Sequence, residues 1–169
     1  MKIILTLLIS FVCVCVSAQS RTPTREEVRA RFEQELDRVE VEGELETLRL
    51  RQSYIAALDV LIERMDETGD EEGIAVVMAE KERVSQGDLR PERVGGGLDL
   101  AMLMQAMQAR VDALEVQQEE RVRKLVQQFQ QGARQVADRM QVHGRDEAAQ
   151  SWREFAEEMA ELARGRFSG

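Results

Sequence analysis

The stretch MDETGDEEG, Met65 to Gly73, places five carboxylates (Asp66, Glu67, Asp70, Glu71 and Glu72) on either side of Gly69. Carboxylates at such density are the ligands that hard divalent cations take. A calcium loop, however, needs oxygen ligands at alternating positions and a distant bidentate Glu at fixed spacing. Asp66, Thr68 and Asp70 do not supply it. We read the stretch as a turn. Gly69 ends one helix in the left-handed conformation, and the acids after it fall in the first turn of the next helix, where the dipole favours anions. His143 is the only histidine, so neither a His-based zinc site nor a di-iron site with two Glu-x-x-His pairs can be drawn. Its place is the last helical turn before Gly144. AMLMQAMQ, Ala101 to Gln108, offers thioethers that could hold Cu(I). Met104 and Met107 share a helix face, but Met102 lies about 200° around the helix from Met104. Core or interface packing is the better reading of all three. The expected catalytic, cofactor-binding and metal-ligating residues are none, and the chain is not expected to be an enzyme.

These stretches need elements to carry them, and the chain is built for helices. It has two Pro, few aromatics and abundant Ala, Glu, Gln, Arg, Leu and Met, with no sustained alternation that would make a strand. Shifted by 75 residues, the chain matches itself: Leu50, Gln52, Arg64, Met65, Gly69 and Glu72 return as Leu125, Gln127, Arg139, Met140, Gly144 and Glu147. Self-similarity at a fixed interval marks a repeated supersecondary unit. Each unit reads as a long helix, a tight turn at Gly69 or Gly144, and a shorter return helix. Thr24 with Glu27 forms a capping box, and Asp99 is the cap expected one interval later. In the second unit the turn becomes MQVHGRDEA, so most of its carboxylates are lost. At helical spacing, Val41, Leu45, Leu48, Ile55, Leu58, Ile62 and Met65 form a core-facing stripe beside a seam of Leu50, Tyr54, Ala57 and Leu61. Arg31 to Glu46 reads as a solvated face with a weak point at Gly43.

The N-terminus reads as an export signal, so the chain is expected outside the cytoplasm. Lys2, the apolar run Ile3 to Val16 and the small residues at Ser17 and Ala18 are the parts of a signal peptide, with cleavage expected after Ala18. Cys13 and Cys15, the only cysteines, leave with it. The formal net charge of −9 lacks the basic face that nucleic acid needs and opposes anionic lipid. The expected organisation is a signal peptide (1–18), a first helical hairpin (19–85), a Gly/Pro linker (86–97) and a second hairpin (98–169).

Tyr54, Ala57, Leu58, Gly69, Asp70, Ala75, Val76, Glu80, Arg83 and Val84 follow the pattern Y-x-x-A-L … G-D … A-V-x-x-E-x-x-R-V. In this the segment resembles helical hairpins of secreted, uncharacterised bacterial coiled-coil proteins. The second hairpin departs from the pattern at Phe129 and Arg145. The resemblance implies a hairpin and no activity. The fold expected is all-α, a helical bundle or coiled coil of two hairpins. The function expected is that of an exported, periplasmic or secreted scaffold or protein-interaction protein without a cofactor; the alternative is a periplasmic holdase. Each long helix outruns its return helix, leaving Val28, Phe32, Leu36 and Val39 on one overhang and Leu103, Met107, Val111 and Leu114 on the other. The overhangs could pack on each other within a chain. A two-fold homodimer would bury them equally, and is the partner expected beside other proteins; nucleic acid and membrane insertion after signal cleavage are not expected.

Overall fold

A computed structural model describes residues 22–90 and 97–167. The signal peptide expected at 1–18, and most of the linker expected at 86–97, lie outside the described residues. Helices α1 (Arg25–Thr68), α2 (Glu71–Ser85), α3 (Leu98–Val142) and α4 (Asp146–Phe167) follow one another. The protein is all-α, with no strand among the described residues.

Local chemistry places the helix ends. The Glu27 N–H donates to Thr24 Oγ1 at 3.2 Å while the Thr24 N–H donates to Glu27 Oε2 at 2.8 Å, two otherwise orphaned donors satisfied together. At the far end of α1, Gly69 adopts φ 71°. Its N–H donates to the Asp66 carbonyl and the Asp70 N–H to the Met65 carbonyl, the paired closure of a Schellman turn. Gly144, at φ 69°, closes α3 in the same way, with Gly144 N–H to Gln141 and Arg145 N–H to Met140. Asp70 then caps α2 through a 2.9 Å bond from the Gly73 N–H. Asp99 differs from expectation. Gly97 is the N-cap of α3 and makes no side-chain cap bond, while Asp99 sits in the first turn and faces Arg64 of α1 at 3.8 Å.

The long helices run antiparallel along their whole length. Arg64 meets Asp99, Glu46 meets Arg121, and Phe32 meets Phe129, so α1 positions fall as α3 positions rise. At ~1.5 Å per residue the 44 residues of α1 make a rod of about 66 Å. Each short helix covers one end of this pair, giving two separate cores. In the first, Tyr54, Leu58 and Leu61 of α1 and Val77 and Val84 of α2 enclose Leu100, Met104, Met107 and Val111 of α3. In the second, Ala133 and Ala137 of α3 and Trp152, Phe155, Ala156 and Met159 of α4 enclose Phe32 and Leu36 of α1.

The cores therefore do not follow the hairpin boundaries. Each overhang is the third helix of the other hairpin's bundle. Within one chain the overhangs meet each other only around Gly43 and Glu46, and most of each packs into the opposite hairpin. A two-helix interface would have left half of each stripe in water, whereas the opposite hairpin offers a groove between two helices. An approximate two-fold axis relates the two halves of the chain. Gly43 touches Gln118 and Glu46 pairs with Arg121, and the members of each pair are 75 residues apart.

Candidate interaction surface

Between the two cores lies a waist where only α1 and α3 touch. Helix α2 ends there: Gly87, just past it, lies against Arg51, and Arg90 reaches across to Glu115 at 2.8 Å. Helix α4 ends on the other side, with Arg166 on Glu40 at 2.8 Å and on Asp37. Arg121 grips Glu46 with two bonds of 2.8 and 3.1 Å. Both side chains are half-buried, and the hydrogen bonds with the nearby carboxylate raise the Arg121 pKa. Gly43, expected in a solvated face, is instead buried in the interhelical contact. A Cβ there would lie 1.2 Å from Gln118 Nε2, so the bare backbone is what lets the Gln118 amide cross.

The stripe expected to face the core divides here. Leu58 is buried and Ile55, Ile62 and Met65 pack at the edge of the first core. Val41, Leu45 and Leu48 are 53%, 46% and 43% exposed. Spacings of four and three put these three on one face of α1. Neither α2 nor α4 is long enough to reach them, which is why helical periodicity alone misplaced them. Val116, on α3, is also exposed. Val41, Leu45 and Leu48 form the surface that helical spacing alone assigned to the core. The signal available for it was the difference in length between the long and short helices.

The expected interface residues are placed otherwise. Phe32 and Leu36 are fully buried, Met107 and Val111 are buried, and Val28, Val39, Leu103 and Leu114 are half-buried. The first four find packing partners within one chain, in the two cores. Of the methionines in AMLMQAMQ, Met104 and Met107 lie in the first core, and Met102 faces outward. His143 is the exposed last residue before Gly144.

One polar cluster is buried. Glu80, only 2% exposed, accepts from Tyr54 Oη at 3.0 Å and from Arg83 Nε and Nη2, both at 2.8 Å. Arg83 also donates through Nη1 to the carbonyls of Asp88 and Arg90 and pairs with the Asp88 carboxylate. Burial, then the Glu80 charge beside it, pushes the Tyr54 pKa well up. The bond to Glu80 raises the Arg83 pKa, and the bond from Arg83 lowers that of Asp88. Each group is satisfied by another, which ties α1, α2 and the segment after α2 together. The tyrosine, glutamate and arginine of the hairpin pattern are these three residues. In the second core Phe129, Phe155 and Glu158 stand 75 residues on. There Phe129 stacks edge-on with Phe32, Phe155 with Trp152, and Arg29 lies over Phe155 while pairing with Glu158.

Among the described residues no three of His, Cys, Asp or Glu converge as metal ligands, and no helix is long and apolar enough to cross a membrane. No family model, no curated protein and no solved structure matches the chain.

Proposed function

We propose that the protein is an exported, non-catalytic scaffold that binds other proteins at its waist. The observation carrying this reading is the exposed Val41, Leu45 and Leu48 stripe, left open between two ends that are each closed by a third helix. Apolar side chains grouped on one face mark an interaction site more often than scattered ones do. Charges rim the stripe, with Arg38 paired to Glu42 and Arg166 to Glu40. A polar rim around an apolar centre is the ordinary anatomy of a non-obligate interface. Export is supported by the leader-like residues 1–18. The test is a photo-crosslinking side chain at Leu45 in the expressing cell, with the same group at exposed Ala79 as control. Discrete adducts at Leu45 that vanish with Leu48→Glu support the reading, and equal labelling at both positions ends it. The mass of the exported chain should correspond to a start at Gln19.

Met78 and Met102, 57% and 61% exposed, support the second reading, a holdase with adaptable thioether contacts. Equimolar protein should then suppress aggregation of an unrelated unfolding client. No suppression removes the holdase.

A further inference from the structure

The two tips of the rod differ in charge although they are built alike. At one tip, the α1–α2 turn, Asp66, Glu67, Asp70, Glu71 and Glu72 are all exposed, while Arg64 is engaged with Asp99. At the other, the α3–α4 turn, Arg139, His143 and Arg145 line a half-open basin with Thr22, Val136 and Met140. Arg139 stands one interval after Arg64 but has no carboxylate within ion-pair distance among the described residues, and neither has Arg145; the ion pair nearest this turn is Arg153 with Asp138. Asp146 and Glu147 share the tip, in the first turn of α4. Even so, the basin presents two guanidinium groups and an imidazole in a chain of net charge −9.

Apolar exposure singles out the same two places. Val142 at the basic tip is 83% exposed and Leu98, which opens α3 at the acidic tip, is 78% exposed. They are the most exposed large apolar side chains among the described residues. Opposite charges, each beside a bare aliphatic side chain, sit at opposite ends of one rod.

We infer that the molecule docks end to end on a second copy, the Asp66–Glu72 turn of one entering the Arg139–Arg145 basin of the next. The occupant follows from charge complementarity, since the acidic tip is an exposed turn of this chain whose charge is opposite to the basin's. The contact joins unlike surfaces, so it is heterologous. On a straight rod such a contact extends into a line and does not close into a two-fold pair. The waist plays no part in it, so the inference stands apart from the function proposed above.

Sedimentation velocity with small-angle scattering on the intact chain tests this. At low salt the mass should rise with concentration, and the longest dimension should roughly double in the first complex formed. At ~1 M salt, where charges are screened beyond ~3 Å, the monomer should return. Arg139→Glu with Arg145→Glu makes both tips acidic and should abolish association. So should Asp66→Lys with Glu67→Lys, which spares the capping Asp70. Mixing the two variants restores one complementary pair of tips and should restore a complex. Melting of each variant near the parent temperature excludes unfolding as the cause. A parent that stays monomeric at low salt overturns the inference. So does a doubled mass at unchanged length, which means side-by-side pairing, or a mixture that stays monomeric.

Discussion

Tyr54 is the chain's only tyrosine, so its phenolate band reports on one buried group. Its proton lies in the bond to Glu80, and burial holds its pKa above the ordinary value in the folded state. The folded form therefore keeps the proton at a pH where the unfolded chain has lost it. The linked stability is complete below about pH 10 and falls as pH climbs beyond it. Phenolate absorbance should consequently appear together with unfolding and not before. Tyr54→Phe should cost about 1.5–3 kcal/mol at neutral pH, the value of a hydrogen bond to a charged group, and should flatten the alkaline decline relative to the parent. An early phenolate signal in the folded protein would disprove the buried bond. Gly69 makes a different residue-scale case. Nothing lies within 4 Å of a Cβ there, yet φ is 71°, so strain acts without steric crowding. Gly69→Val should destabilise by about 1 kcal/mol or more, because a β-branched side chain resists positive φ. Chemical denaturation measures it, and an unchanged midpoint would contradict the turn.

At the scale of elements, the half of α1 before Gly43 belongs to the second core although it sits in the first hairpin. Phe32 is fully buried there against Phe129 and α4. Phe32→Ala should cost about 3–5 kcal/mol, and the cost should be independent of protein concentration, because its contacts lie within one chain. Leu45→Ala, on the open stripe of the same helix, should change stability by no more than about 0.5 kcal/mol. A concentration-dependent Phe32→Ala effect would mean that the overhang is completed by another copy. The two residues share a helix and an apolar character, so periodicity ranks them alike. What separates them is whether a third helix reaches that level of the rod. The same limit explains Asp99, whose residue type suits a cap while Arg64 on another element draws it into an ion pair.

For the whole molecule, the two cores share two unbroken helices. Helices α1 and α3 run through the waist as continuous 44- and 45-residue elements, joined there by Glu46 with Arg121 and by Gln118 over Gly43. Loss of either core strips the third helix from its bundle and leaves the other end of the same helices under-packed. Unfolding should therefore be one cooperative transition, with calorimetric and van't Hoff enthalpies in agreement. Phe32→Ala in one core and Leu61→Ala in the other should shift that same transition. Two resolved transitions, each moved by only one of these substitutions, would show that the waist uncouples the ends.

Local sequence by itself determined the all-helical class, the long-and-short hairpins and the chemistry of their ends. A capping box spans four residues and a Schellman turn six, so neither needs a distant partner to be recognisable. Tyr54, Glu80 and Arg83 could be picked out as parts of a pattern, but their meeting in one buried cluster required α2 to fold back on α1. Tertiary structure alone decided which surface covers each overhang and where cover stops. Burial of Phe32 and exposure of Leu45 depend on the reach of α4 and α2 across the antiparallel pair, and helical spacing within α1 carries no information about that reach. The acidic character of one tip and the basic residues of the other stand in the sequence. Their placement at opposite ends of a ~66 Å rod follows only from the antiparallel pairing of α1 with α3.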